Sequence, residues 1–278
     1  MRLDSIDELS AVHPPEVIVN LALSRQPRVP DGSPPRPCGD RASLHRRGFN
    51  LIELLAVLAI TVILIATLMP GLRAARSTTH RIGCASNLRQ FGAAMQSYSG
   101  DFNERLPHSV HLTPDHWEPQ EMMAASAGPD EFGRTKWDGL GLLSNPWNPY
   151  VDVPRACYCP SHLGEHSIER YSLAFSKPAF TQEVYTNYHY RGDFDRRLGR
   201  YLGTSASRRV IVVDGLRTRR DFNHGDGTNR LHSDASVDWL VDADRSIFSG
   251  LPFDTVTDPI MQDTLYSWLW DQVSRDAR

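Results

Sequence analysis

The run from Leu51 to Met69, LIELLAVLAITVILIATLM, constrains this chain more than any other feature. Its nineteen residues carry a single charge, Glu53. As a helix rising ~1.5 Å per residue, the run extends about 28 Å, close to the ~30 Å hydrocarbon core of a bilayer. A helix that is apolar on every face has no polar side to give to water, so it needs lipid or protein all round. The remainder is ordinary. The 278 residues are 40% hydrophobic and 23% charged, with a net charge of -3. That is a globular balance, without the basic footprint of a nucleic-acid binder. The reading is one membrane-spanning helix joined to a domain that expects water.

The flanks give the span a direction. Arg41, His45, Arg46 and Arg47 precede it, and the positive-inside rule keeps that side in the cytoplasm and exports the residues on the other side. Arg73 and Arg76, just beyond the run, read as the start of a soluble continuation of the helix. A cleaved secretory signal is the competing reading. Its apolar core is normally about 7–15 residues with a small-residue cut site after it. Here the run is longer, and Pro70-Gly71-Leu72-Arg73 is a poor site of that kind.

A cut site precedes the run instead. Arg46-Arg47-Gly48-Phe49-Asn50-Leu51-Ile52-Glu53-Leu54-Leu55 resembles the prepilin cleavage and methylation motif of type IV pilins and type II secretion pseudopilins. The resemblance implies peptidase cleavage between Gly48 and Phe49, N-methylation of Phe49, and an assembly role for Glu53. It further implies a helix kink at Pro70, which falls where that family often has its proline. A carboxylate in a bilayer costs several kcal/mol unless it finds a partner, so such residues are rare and usually functional. In the family the partner is thought to be the N-terminal amine of a neighbouring subunit. The bland alternative is a glutamate that snorkels at the membrane edge. The leader, residues 1–48, is long for the family. Its stretch QPRVPDGSPPRP, residues 26–37, is too rich in proline to pack. It reads either as an extended cytoplasmic leader or as a start codon set too early.

After Pro70 the pattern stays helical but turns amphipathic. Leu72, Ala75, Ile82, Ala85, Leu88, Phe91, Met95 and Tyr98 recur at steps near three and four. One helix from about Phe49 to Ser99 is predicted, with Gly100-Asp101 as its stop. Its segments are the membrane part, 49–70, and the amphipathic part, 71–100, ahead of an exported domain at 101–278. The fold class is α+β. The resemblance implies that the long helix packs on an antiparallel sheet, with loop-rich insertions. Strands are predicted at Tyr185–Tyr190, Val210–Val213 and Ser236–Val241, with a polar turn around Gly225–Asn229. Residues 101–170 read mostly as loops, with short helices near Trp137–Leu143, and the tail from Asp258 reads as a helix.

Two further stretches resemble pseudopilins with large exported domains. One is Cys84-Ala85-Ser86-Asn87-Leu88-Arg89-Gln90 with the later Cys159-Pro160-Ser161. The other runs from His224 through Asn229 and Leu231 to Asp234, ahead of Val237-Asp238-Trp239. Ala235 stands where that pattern usually has glycine.

Of the four cysteines, Cys38, Cys84, Cys157 and Cys159, an exported pair is expected to oxidise. A bridge from Cys84 to Cys159 or to Cys157 is the expectation, because a bond between Cys157 and Cys159 would be strained. Sharper chemistry competes at each remaining cluster. Cys157, Cys159, His162 and His166 are residue types that suit zinc. His224, Asp226, His232 and Asp234 could form a hydrolytic cluster, although no nucleophile or metalloprotease motif accompanies them. Asp193 and Asp195 with Asn187 offer oxygen ligands to calcium but lack a full spaced set. The six tryptophans read as core residues, with one or two open to a surface-binding role.

The sequence thus predicts a filament subunit of a bacterial inner membrane, single-pass, with its N-terminus cytoplasmic and its domain periplasmic. It is a substrate of a prepilin peptidase and methyltransferase rather than an enzyme, needs no cofactor, and has other pilin-like subunits as partners. The alternatives are a membrane-tethered binding domain that does not polymerise and a membrane-anchored metal hydrolase.

Overall fold

The computed structural model describes residues 50–275, apart from 148, 152–153, 174, 176–181, 196–199, 202, 204–207 and the side chains of Asp195, Arg200 and Tyr201. Gly48, Phe49, Cys38 and the remaining leader lie outside the described residues. The chain divides into two units, one ending at Leu54 and one running from Leu55 to Arg278.

In the first unit the described residues form the start of a helix. Asn50 precedes it, and its Oδ1 accepts a hydrogen bond from the backbone N–H of Ile52 at 3.3 Å. Glu53 Oε2 accepts one from the N–H of Asn50 at 3.1 Å. This is a reciprocal capping box, in which each side chain satisfies a backbone donor that a helix N-terminus leaves open.

The helix, α1, spans Leu51–Asp101 and runs through Pro70. It is the helix among the described residues that is long and apolar enough to cross a membrane. Every residue from Leu51 to Thr79 is exposed. Burial begins at Cys84 and then follows one face through Leu88, Phe91, Gly92, Met95 and Tyr98, as the three-and-four spacing requires. The helix ends two residues later than predicted. Asn103 and Glu104, both at positive φ, turn the chain away, and Glu104 N–H bonds back to the Ser99 carbonyl.

The rest is α+β, and its two main sheets are antiparallel. β1 (Ala124–Pro129) pairs with β2 (Thr135–Trp137) and with β3 (Val184–Tyr185). β4 (Tyr188–Tyr190), β7 (Val210–Asp214), β8 (Gly227–His232) and β9 (Val237–Val241) form the central sheet in that order. β5 (Phe194–Asp195) and β6 (Arg200–Tyr201) make a small ribbon. The helices are α2 (Gly141–Ser144), α3 (Ile168–Tyr171), α4 (Ser246–Gly250) and α5 (Pro259–Val273).

The central sheet is covered on both faces, as the period of two on its strands shows. Tyr188 and Tyr190 of β4 join Leu88, Phe91 and Met95 of α1 in one core. His189, between them, stacks on Tyr266 of α5 at 5.2 Å between ring centres. On β7 a bulge between Val210 and Val212 breaks the alternation, so Ile211 and Val212 both join the α1 core, while Val210 and Val213 cluster with Leu269 and Val273. That is why β7 reads as an unbroken apolar run. The α1 core and the central sheet match the pilin-like layout of a long helix on an antiparallel sheet.

Several expectations need correction. Residues 101–170 are largely loop with a short helix at α2, as expected, but the strands β1 and β2 within them were not foreseen. The predicted strand Tyr185–Tyr190 is two strands belonging to different sheets. Gly227, Thr228 and Asn229 are strand rather than turn, paired with Val241, Leu240 and Trp239. Gly225 and Asp226 do form a turn ahead of β8, and a second turn at Ser233–Ser236 joins β8 to β9, with Ala235 in it at φ 63°. Left-handed backbone favours glycine, which gives a physical reason for glycine there in related patterns.

Ala235 is also where the sheet meets the helix. A Cβ on Gly92 would lie 3.0 Å from both Ala235 Cβ and Leu231 Cδ1. Leucine has a helix propensity about 0.8–1 kcal/mol better than glycine, but overpacking a core typically costs about 1–3 kcal/mol. With no room even for a methyl, the steric effect wins. Gly92→Leu is expected to lower the thermal midpoint of the oxidised chain by several degrees, read by circular dichroism.

His189 supplies a pH prediction. Burial pushes its imidazole down to about 3, against an ordinary value near 6.5. Between those values the unfolded chain binds a proton that the folded chain refuses, so this contribution to stability falls as pH drops from about 6.5 to 3. Relative to His189→Gln, the native chain is expected to lose up to about 1.4 kcal/mol more per pH unit in that window. Urea unfolding at a series of pH values checks this, and parallel curves would refute it.

Candidate functional site

Two places in the chain are candidates for functional chemistry, the start of α1 and the joint where α1 enters the domain. At the first, Glu53 is held by its capping contact with Asn50. It lies near the start of a helical stretch long and apolar enough to cross a membrane, in which no residue is buried.

At the joint, Cys84 is bonded to Cys159 across 75 residues. Cys84 is the first buried residue of α1, and the bond therefore sits where the helix enters the core. The sequence left Cys157 and Cys159 open as partners. The 3-10 turn Pro154–Cys157 settles the choice by directing Cys157 inward, where its Sγ lies 3.4 Å from Ser144 Oγ. Burial pushes that thiol up to about 12, so it is inert as a nucleophile.

Around the disulfide the polar groups are buried and mostly paired. Asn87, one turn after Cys84, donates to the Tyr158 carbonyl and to Tyr188 Oη. Asn187 accepts from the Cys159 N–H at 3.1 Å and donates to the His166 carbonyl at 2.6 Å. His224 Nε2 lies 3.6 Å from Cys159 Sγ and 3.6 Å from Asp214 Oδ2. Its Nδ1 lies 3.3 Å from Ser161 Oγ. Asp214 Oδ2 accepts from the backbone and side-chain amides of Asn229, at 2.7 and 3.1 Å. Asn229 also donates to the Arg81 carbonyl of α1. Arg81 lies over the Trp239 ring at 4.6 Å, and that ring meets His224 edge-on. Burial pushes His224 down to about 4 and Asp214 up to about 7, because neither charge is favoured away from water. The residues singled out in sequence, Cys84, Asn87, Cys159, Ser161, His224 and Asn229, thus converge here. Asp214 was missed, because it ends a strand and carries no motif.

The other candidate clusters disperse. Cys157, Cys159, His162 and His166 do not assemble. Cys157 turns to Ser144, His162 Nδ1 lies 2.7 Å from Asn223 Oδ1, and His166 Nδ1 lies 3.0 Å from Tyr171 Oη. Of the hydrolytic quartet, His232 meets Asp238 at 3.1 Å, and Asp234 pairs with Arg208 at 3.2 Å, away from His224. Asn187 is engaged by Cys159 and His166 rather than offered to calcium, Asp193 is buried, and the side chain of Asp195 is outside the described ones. Trp117 and Trp270 line a cleft of about 310 Å³ with Tyr266 and Phe194.

Among the described residues two groups of side chains bring metal-binding atoms within 4.8 Å of one another. One is Cys84, Cys159, Asp214 and His224, all buried, and the other is His111, His116 and Glu118 nearer the surface. With the disulfide closed, the first group offers no thiolate. No known family model matches the chain, and neither a curated protein nor a solved structure is significantly similar to it.

A disulfide closing a loop of this length stabilises by limiting the unfolded chain, by about 2–4 kcal/mol. The Cys84→Ser chain is expected to lose stability in that range under oxidising conditions, measured as a lower urea midpoint. Cys157→Ser is expected to cost less, because it leaves the bond intact.

Proposed function

We propose that this chain is a pilin-like subunit, cut before Phe49 and assembled through α1. The observation that carries the reading is the contrast along one helix. Residues Leu51–Thr79 have no cover in the protein, yet Cys84–Ser99 are locked into a domain core. Uncovered apolar surface of that length needs lipid, other copies of the helix, or both in turn. A filament that draws subunits out of a membrane uses both.

The motif around the helix start supports the same reading. The resemblance places the scissile bond between Gly48 and Phe49. The freed Phe49 amine would stand four residues from Glu53, a cation matched to a carboxylate in a medium where neither is tolerated alone. The subunit would then sit in a bacterial inner membrane with its domain in the periplasm, as the basic flank Arg41–Arg47 favours. Its role is mechanical. The partners are a prepilin peptidase and methyltransferase, the membrane, and other pilin-like subunits.

A second reading has the aromatic cleft beside α5 in its favour. There the chain is a tethered binding domain and α1 is only an anchor.

Expression with and without a prepilin peptidase, followed by mass spectrometry of the mature N-terminus, tests the first reading. The expected product begins at N-methylated Phe49. An intact leader, or a cut after Pro70, would overturn it. Glu53→Leu separates the two readings: loss of filament assembly with the domain still folded supports the subunit, and unchanged assembly refutes the role given to Glu53.

A further inference from the structure

At the joint that closes as a disulfide, four side chains with metal-binding atoms meet. We propose that, when Cys84 and Cys159 are reduced, they bind one zinc ion together with His224 and Asp214, so that bond and metal are alternative closures of the same joint. The inference does not depend on the pilin reading.

Four donors are present, two sulfurs, one imidazole nitrogen and one carboxylate oxygen, and these atoms already lie within 4.8 Å of one another. Zinc takes four such ligands in a tetrahedron, with bonds of about 2.0–2.3 Å. Two thiolates on one tetrahedral zinc sit roughly 3.8 Å apart, which reduction allows by freeing each sulfur to rotate. His224 Nε2 is directed at both Cys159 Sγ and Asp214 Oδ2, each at 3.6 Å, as a ligand facing two others across a small gap would be.

The surroundings resemble those of a metal ligand set. Zinc-binding imidazoles are usually oriented through their second nitrogen, and zinc-binding carboxylates through further hydrogen bonds. Ser161 Oγ lies 3.3 Å from the second nitrogen of His224. Asn229 holds Asp214 Oδ2 with two amides. The other oxygen, Oδ1, is buried with no hydrogen-bond partner, an unusual cost for a buried acid. A dication bound beside this unpartnered oxygen would give the buried carboxyl a partner. A groove lined by Gly83, Asn87, Tyr158, Pro160 and His162 borders Cys159.

Electrons and protons balance in both directions. A dithiol reductant gives two electrons and two protons to the Cys84–Cys159 bond and becomes a disulfide itself. Binding of Zn2+ then displaces the two thiol protons, because thiolates rather than thiols are the ligands. In reverse, a disulfide oxidant takes two electrons from the two thiolates, the sulfur–sulfur bond re-forms, and zinc departs.

The test uses the full chain in detergent, reduced with a phosphine, incubated with zinc and freed of excess metal. One zinc per reduced chain and none per oxidised chain are expected. Cobalt in place of zinc should show thiolate-to-metal charge-transfer absorption. Cys157→Ser and Cys38→Ser should leave zinc content unchanged. His224→Gln and Asp214→Asn should each weaken binding by at least roughly tenfold, the scale on which perturbing a metal site is felt. Both of these variants keep the two cysteines, so near-ultraviolet circular dichroism of their oxidised forms shows which of them folds, and a variant that folds carries the test. A reduced chain that retains no zinc overturns the proposal. So does binding that persists at full strength in the folded His224 or Asp214 variant.

Discussion

The packing of one face of α1 into the domain organises everything else in this protein. Leu88, Phe91 and Met95 are fully or almost fully buried against Tyr188, Val212 and Leu231. Gly92 lets the β8–β9 turn approach until Ala235 touches the helix. Without that face the central sheet would present an apolar surface to water on one side. With it, the sheet is a shared wall, α1 on one side and α4 and α5 on the other. Each fully buried side chain of this size contributes about 1.5–3 kcal/mol, and none of that contribution requires any residue before Cys84. The membrane-length segment is therefore free to be chosen for lipid or for neighbours, independently of what folds the domain.

The same division explains why the joint is so polar. Where α1 leaves the core, its backbone and side chains pass from apolar packing to water; Asn87 and Asn229 tie it to Tyr158, Tyr188 and β8, and Asn187 links Cys159 to His166 beside them. Buried amides that are paired specify one arrangement more sharply than apolar contacts, because a slip by one residue leaves donors unsatisfied. His224 and Asp214 belong to this network, and their opposed shifts have one cause, the exclusion of water from both.

Much of this was legible in the sequence, and where it was not the reason is local. The apolar run, the helix through Ser99, β7, β9 and α5 carry strong periodicity or strong caps. Asp258 followed by Pro259 is one such cap, and Asp258 Oδ1 accepts from two backbone amides at the start of α5. β1 was hidden because Ala124–Pro129 is made of alanine, serine, glycine and proline, residues with little strand preference, and tertiary packing overrides that. The first residues of β8 were hidden because Gly227 opens it. Glycine there reads as a turn, yet the Trp239 ring lies where a Cβ would be. The disulfide partner was ambiguous because two cysteines so close in sequence differ only in which way a short turn points them. Asp214 and His224 meet only through β7 and β8 pairing, which no local pattern encodes.

The position of the Cys84–Cys159 bond has a mechanical consequence. Tension transmitted along α1 meets only the Arg81 contacts with Asn229 and Trp239 before it reaches a covalent link at Cys84, ahead of the packed face of Leu88, Phe91 and Met95. Hydrogen bonds and apolar contacts beyond that point are shielded from the load. A domain pulled by its helix would thus yield by stretching the exposed segment ahead of Cys84 rather than by peeling the helix from the sheet.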